Sequence, residues 1–167
     1  MRLLRALVVV ALFVVAVYYG YRVFAGRPRP VAAATVTVYY CKTDGETLVP
    51  WKLTLGPARD RKSVAFYAAT QAVAGPSSDI DAIRFPSGTI VHAVDVDGST
   101  AIVDLGGALA KPTAGSFAES AEFKALVWTL TALPGIGSVQ VKLDGIRVPT
   151  LPGGHFELDE PLSRASF

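Results

Sequence analysis

The chain has 167 residues, 51% of them hydrophobic, and a formal net charge of +2 at neutral pH. Five of its sixteen basic residues are arginines within the first thirty positions, which contain no acid, so the other 137 residues carry a net charge of −3. A globular part with this net charge lacks the stripe of basic residues that would neutralise the phosphates of a nucleic acid. Nucleic acid is therefore excluded as a partner.

The chain begins with a long uncharged run, Ala6 to Tyr21, flanked by arginines on both sides. With its apolar neighbours the run approaches the roughly 20 residues of a membrane span, because flanking arginines can snorkel. We predict a transmembrane or signal-anchor helix over residues 1–25, followed by a stalk rich in Pro and Arg over 26–34. A cleaved secretory signal ending near Ala32 is the alternative. The balanced flanking charges do not indicate the topology.

A first β-hairpin is predicted around Asp44-Gly45, because Asp-Gly between β-branched and aromatic runs is typical of a tight type I′ turn. The run Thr35 to Tyr40 precedes the turn, and Thr47 to Leu55 follows it. Pro50 lies inside the second run and lacks a backbone donor. This strand is therefore expected to be an edge strand or to break at the proline.

The first helix of the globular part is predicted to follow Asp60, its N-cap, and to run through Ser63 to about Ala74. Five residues, all but one of them apolar or small, recur at three- and four-residue spacing, which is typical of a helix with one buried face. These positions are Val64, Tyr67, Ala68, Gln71 and Ala72.

A second hairpin is predicted from Thr89 to Val96 and from Thr100 to Leu105, around the turn Asp97-Gly98. Ser116 and Glu119 then match a capping box, which predicts a second helix starting at Ser116 and ending at Pro134-Gly135.

A third hairpin is predicted around Asp144-Gly145. The alternation of Val139, Val141 and Leu143 with polar residues precedes the turn, and a short strand from Ile146 to Val148 follows it. The predicted order is hairpin, helix, hairpin, helix, hairpin, tail. This order favours an α+β two-layer sandwich of hairpins and two helices, with both helices on one face.

Several of these stretches resemble the GerMN domain of membrane-attached or lipid-anchored extracytoplasmic bacterial proteins. The most specific stretch is Leu126 to Leu130, which continues to Leu133 to Ile136 and on to Asp144-Gly145. Phe85 to Thr89 is similar to the proline-glycine-threonine turn of the family, and Pro161 to Arg164 is similar to its closing segment.

The resemblance implies one GerMN-like domain over residues 35–167, similar to the ring-building modules of secretion and sporulation complexes. It implies no established catalytic residues. The chain departs from lipid-anchored members because Cys41 lacks the surroundings of a lipid-attachment site, so a membrane span would serve as the anchor.

Residues able to bind a metal are sparse. His92 shares a predicted strand face with Ile90 and Val94, whereas His155 lies in the glycine-rich tail, and a metal would need further ligands. Asp95 to Gly98 superficially resembles the start of a calcium loop, but the later acids of that loop are missing and a turn explains the residues better. We therefore expect no metal, no cofactor and no catalytic residues.

The remaining candidates have structural interpretations. Cys41 is interpreted as a small hydrophobic residue, with a reactive thiol as the alternative. Trp51 and Trp128 are interpreted as core or interface aromatics, with a stacking platform for cell-wall glycan as the alternative. The sequence therefore predicts a non-enzymatic, membrane-anchored extracytoplasmic domain that binds a protein partner in envelope or spore-related assembly. A module that binds peptidoglycan or another envelope polymer is the alternative function.

Overall fold

The structure is a computed structural model that describes residues 14–21, 35–55, 60–77, 79–111, 115–153 and 156–167. The chain divides into two compact units, Met1–Ala32 and Ala33–Phe167. In the first unit, residues 14–21 are helical and exposed. None of the helices in the described ranges combines the length and apolar character that a membrane span requires. Most of the span predicted over residues 1–25, and all of the stalk over 26–34, lie outside the described residues.

The second unit contains five strands and two α-helices within its described residues. In chain order they are β1 (Thr35–Cys41), β2 (Leu48–Thr54), α1 (Arg61–Ala74), β3 (Thr89–Asp97), β4 (Thr100–Gly107), α2 (Ser116–Thr131) and β5 (Ser138–Leu143). Short 3-10 helices follow β4 at Ala108–Ala110 and close the chain at Arg164–Ser166. The predicted α+β class is therefore confirmed.

The strands form two sheets. β1 and β2 pair antiparallel as a two-stranded sheet, and β3, β4 and β5 form a three-stranded sheet in that order. β4 and β5 run parallel, with α2 as the crossover that a parallel pair requires. The predicted third hairpin is wrong, because Ile146 makes only an isolated bridge to Leu143 and no strand follows it among the described residues.

The three Asp-Gly pairs occupy turns of different kinds. At Asp44-Gly45 only the glycine has a positive φ, 74°, so the type I′ turn predicted there is wrong. In the second hairpin Asp97 pairs with Thr100, so Gly98 and Ser99 form the loop, and Gly98 has a positive φ of 56°. A glycine at the first central position is typical of a type II′ turn, so the predicted type I′ turn is wrong there. At Asp144-Gly145 both residues have positive φ, 50° and 82°.

The two α-helices begin in different ways. Asp60 caps α1 as predicted, and its carboxylate accepts a hydrogen bond from the Ser63 amide at 2.7 Å. The capping box predicted for α2 is wrong, because the N-cap is Gly115 and no side chain caps the first turn. Glu119 is instead buried. In a capping box its side chain would lie at the start of the helix and face solvent.

A single large core joins both helices to both sheets. α1 contributes its small residues to the core, whereas the larger Val64 and Tyr67 of the predicted face are only partly buried. The buried residues of α1 are Ala65, Ala68, Ala69, Ala72 and Val73. Small side chains allow the helix to approach its neighbours closely, and α1 packs against β3, β1 and α2.

The irregular C-terminal segment completes this core. Leu151, Leu158 and Leu162 are buried, and Leu162 forms an antiparallel bridge with Val139 of β5. Phe156 stacks on Phe123 of α2 with ring centroids 4.9 Å apart. The tail that sequence periodicity left without structure is therefore packed as part of the domain.

Candidate functional site

A groove of about 180 Å³ lies between β2 and the segment that follows α1. No charged side chain is among its lining residues, which are Tyr40, Trp51, Leu53, Gln71, Gly75, Pro76, Ser77 and Ile80. Trp51 is 45% exposed, although its partner across the hairpin, Val38, is fully buried. The helices therefore cover the apolar face of the hairpin at β1 but leave part of that face exposed at β2.

The far wall of the groove is held by one arginine. The Arg84 guanidinium donates hydrogen bonds to the carbonyls of Pro76, of Ser77 at 3.0 Å and of Ile80 at 3.4 Å. Gly75 has a positive φ of 78° and lies against the Arg84 side chain. The fork of donors on arginine suits it to fixing several carbonyls at once. Arg84 therefore holds this wall of the groove in place.

Tyr40 is a buried residue that lines the groove. Its hydroxyl lies 3.5 Å from the Gln71 carbonyl of α1, and burial raises the pKa of this phenol above its ordinary value of 10.0. The side chain is therefore neutral at physiological pH, which keeps the groove uncharged.

The inner edge of the hairpin is closed by α2. The Tyr39 amide donates to the Thr129 hydroxyl at 2.9 Å, and the same hydroxyl donates to the Ala125 carbonyl at 2.8 Å. Because the Tyr39 amide points towards the helix, Tyr39 and its partner Pro50 form a pair without a ladder hydrogen bond between them. The missing donor of Pro50 therefore lies on the outer edge, and β2 stays intact as an edge strand.

A second cleft, of about 510 Å³, lies in the C-terminal segment. Three acidic residues, Glu157, Asp159 and Glu160, line it together with Phe156, Pro161, Leu162 and Ser166. The Arg147 guanidinium donates to the Asp159 carbonyl at 2.6 Å and so ties the segment to the end of the sheet. This acidic cleft gives the domain a surface of different chemistry from the uncharged groove.

His92 lies at a register irregularity in β3 and is exposed, which departs from the predicted regular strand face. Its Nε2 lies 3.0 Å from the Asp144 carboxylate, and both side chains pass over Gly106, where a Cβ would collide with them. His155 lies outside the described residues. Across the described part of the chain, no group of three or more His, Cys, Asp or Glu is arranged to hold a metal ion.

The other sequence candidates separate into buried and exposed positions. Cys41 is fully buried, and burial raises the pKa of its thiol, so it is a core residue rather than a reactive thiol. Trp128 is partly buried beneath the Arg164 guanidinium, whose central carbon lies 5.5 Å from the ring centroid. Trp51 is the more accessible of the two tryptophans, and the structure places it beside the open strand edge.

Sequence reasoning missed one titratable group, Glu122 on α2. This side chain is only 5% exposed, and its Oε2 atom has no hydrogen-bond partner. Burial, together with repulsion from the nearby Glu119, raises its pKa to about 8. Placing Glu122 on a helical projection beside Phe123 and Leu126 would have shown it at the margin of the apolar stripe.

Comparison with known proteins identifies a family for most of this domain. Residues 37–149 match the Germane family, which is described as sporulation and spore germination. No curated protein matches the chain at a significant level.

Three solved structures share the fold. The first GerMN domain of the sporulation protein GerM from Bacillus subtilis aligns with a TM-score of 0.59 and 24% identity, over 79% of this chain and 98% of that one. A candidate lipoprotein from Clostridium perfringens aligns with a TM-score of 0.55 and 20% identity, over 80% and 89% of the two chains.

The third structure contains the tandem GerMN domains of Bacillus subtilis GerM. It aligns with a TM-score of 0.58 and 20% identity over 85% of this chain, which spans only 49% of the tandem chain. At these identities the structures show the fold alone.

Proposed function

This chain belongs to the Germane family of sporulation and spore germination domains, and we propose that it is a non-enzymatic module that binds a protein partner on the outer side of a bacterial membrane. Its role would be to organise an envelope or spore-related assembly. No cofactor, metal or catalytic step is part of this proposal.

The groove beside Trp51, whose opposite wall is held by Arg84, is the observation that supports the proposal. Exposed aromatic residues in fixed surroundings are typical of the energetically important centres of interfaces. Trp51 meets this description because Arg84 fixes the opposite wall of the groove. Catalysis would instead require a nucleophile and base within reach of each other, and the groove is lined by neither an acid nor a histidine.

We also propose that residues 1–25 anchor the protein and that 26–34 form a stalk that links the anchor to the domain. The uncharged run from Ala6 to Tyr21 supports an anchor. Extraction of membranes with alkaline carbonate tests this proposal. An integral anchor leaves the chain in the pellet, whereas a cleaved signal yields a shorter, extractable protein.

Crosslinking in native membranes, followed by mass spectrometry, tests the interaction. The proposal predicts reproducible recovery of the same protein partner, with crosslinked peptides that map to Ala33–Phe167. A chain in which Trp51 is replaced by alanine serves as the matched comparison, and its crosslinks should weaken. Recovery of abundant envelope proteins alone, in equal amounts from both chains, would contradict the proposal.

Peptidoglycan binding is the second candidate function, and the exposure of Trp51 is the observation that favours it. An accessible aromatic ring can stack on a sugar, and Trp51 lies on the surface of the domain. A pull-down with purified sacculi separates the two candidates. Retention at low salt that depends on Trp51 would favour the glycan, and absence of retention would eliminate it.

A further inference from the structure

We propose that the outer edge of β2 binds an extended segment of a partner protein in which acidic and aliphatic residues alternate. The segment pairs with residues 51–54 and places one aliphatic side chain in the groove beside Trp51. This inference rests on the proposed protein-binding function, and it adds the docking edge and the chemistry of the partner.

The first step is that one edge of the β1–β2 hairpin is left unpaired by the strands that the structure describes. The inner edge is occupied by α2 through the hydrogen bond from the Tyr39 amide to Thr129. No strand within the described residues pairs with the outer side of β2. An open edge presents unpaired backbone donors and acceptors, and adding an extended peptide is a common way to satisfy them.

The second step is that Pro50 limits which part of the edge can pair. Since Tyr39 and Pro50 form a pair without ladder hydrogen bonds, the outward-pointing groups belong to residues 48, 50, 52 and 54. Pro50 has no amide hydrogen and separates Leu48 from the rest, so Lys52 and Thr54 carry the consecutive available donors. The bound segment is therefore placed beside residues 51–54.

The third step concerns the groove side of that segment. Alternate side chains of an added strand point to opposite faces. Those on the face of Trp51 and Leu53 meet an uncharged groove of about 180 Å³, which is suited to one aliphatic side chain. A charged side chain there would lose its hydration without gaining a partner.

The fourth step concerns the opposite face. Lys52 is exposed on that face, and a residue of the added strand lies directly across from it. Charge complementarity makes this residue acidic. A second copy of the chain fits less well, because two β2 edges paired about a two-fold axis bring their Lys52 and Pro50 residues together.

Two synthetic peptides test the inference against the isotopically labelled 167-residue chain. The matching probe is acetyl-Ser-Val-Glu-Leu-Ser-amide, and in the control peptide lysine replaces its glutamate. The matching peptide should shift the NMR amide signals of residues 51–54 and of Ser77 and Ile80. Trp51→Ala should weaken its binding about tenfold. Ile146→Ala is the matched control, an exposed aliphatic residue away from the groove that should leave affinity unchanged.

Charge reversal gives a test that does not depend on the tryptophan. An exposed cross-strand pair is worth a few tenths of a kcal/mol to about 1 kcal/mol, so Lys52→Glu should change peptide preference by about threefold. The variant should bind the lysine peptide better than the glutamate peptide. Equal preference in both chains, or shifts confined to residues outside β2 and the groove, would overturn the inference.

A further experiment distinguishes failure of this inference from failure of the proposed function. A photoreactive residue is placed at Thr54 or at Glu160, and each chain is tested in cells that produce the protein. Capture of one reproducible partner at Thr54, reduced by Lys52→Glu, agrees with docking at β2. Capture at Glu160 alone overturns the β2 edge but retains a protein-binding function. If neither position captures a partner, the result contradicts both this inference and the proposed protein-binding function.

Discussion

Among the buried polar side chains of α2, Thr129 and Glu122 have opposite consequences for stability. Thr129 uses its hydroxyl both to accept from the Tyr39 amide and to donate to the Ala125 carbonyl. Glu122 has an Oε2 atom without a partner and a pKa raised to about 8 by burial and by repulsion from Glu119. The threonine joins the helix to the hairpin, whereas the glutamate makes the fold sensitive to pH.

Glu122→Gln should raise the free energy of unfolding at neutral and alkaline pH. The folded-state pKa of about 8 lies above the ordinary value of 4.5, so the folded protein binds the proton more tightly than the unfolded chain. The contribution of this carboxyl group to the free energy of unfolding is complete below about pH 4.5, where the group is protonated. The contribution falls as the pH rises towards 8 and is constant above that. The glutamine variant should lack this decline and be more stable at pH 8 by on the order of 4 kcal/mol.

Thermal unfolding between pH 4 and pH 9 measures this difference. Glu160→Gln, which removes an exposed carboxylate, is the control and should follow the parent chain across the range. Parallel curves for the parent and the Glu122 variant would show that burial of this carboxyl does not control the pH dependence.

Thr129→Val should destabilise the domain because it removes the acceptor for the Tyr39 amide while keeping the shape of the side chain. A buried donor without a partner costs about 1–3 kcal/mol. Thr129→Ser keeps the hydroxyl and should lose less. Chemical denaturation gives the stability, and hydrogen exchange at Tyr39 gives the local effect. Unchanged exchange at Tyr39 in the valine variant would refute the assigned hydrogen bond.

At the scale of elements, the sequence predicted what depends on local patterns. The first two hairpins and both helices follow from alternation, helical spacing and turn residues. The parallel pairing of β4 and β5 could not be predicted that way, because Asp144-Gly145 has the same local signature whether a strand follows or not. The backbone turns at this pair, and Ile146 then makes only a single bridge.

The groove was beyond sequence reasoning for a related reason. Tyr40, Trp51 and Pro76 belong to β1, β2 and the segment after α1, and no spacing in the sequence links them. The exposure of Trp51 depends on how far the helices extend over the hairpin, which is a tertiary property. What the sequence did provide was Pro50, which correctly identified β2 as an edge strand.

Arg84→Ala should loosen the segment from Gly75 to Ile80 without unfolding the domain. The substitution removes hydrogen bonds to three carbonyls, each with a net value of about 1 kcal/mol. Amide exchange should accelerate in this segment and remain unchanged in β4. Arg147→Ala, which frees a different carbonyl, is the control. Slow exchange after the change would show that other contacts hold the groove wall.

At the scale of the whole molecule, the folded unit is longer than the family match. The match ends at residue 149, whereas Leu151, Leu158 and Leu162 are buried in the same core as α2 and β5. The Gln140 side chain also donates to the Leu158 carbonyl at 3.0 Å. The last eighteen residues therefore carry part of the domain's stability as well as the acidic cleft.

Three fragments test this conclusion. Residues 33–167 should unfold in one cooperative transition, because Ala33–Phe167 forms a compact unit. Residues 33–149 should not hold the native fold, since burying a leucine contributes about 1.5–3 kcal/mol and three leucines approach the whole stability of a typical domain.

A fragment of residues 33–163 is the control. It keeps the leucines but loses the contacts of Arg164 and Phe167, and its melting temperature should be only moderately lower than that of residues 33–167. Circular dichroism with a dye that binds exposed apolar surface separates these outcomes. Equal melting temperatures for the 33–149 and 33–167 fragments would show that the C-terminal segment merely covers a finished core.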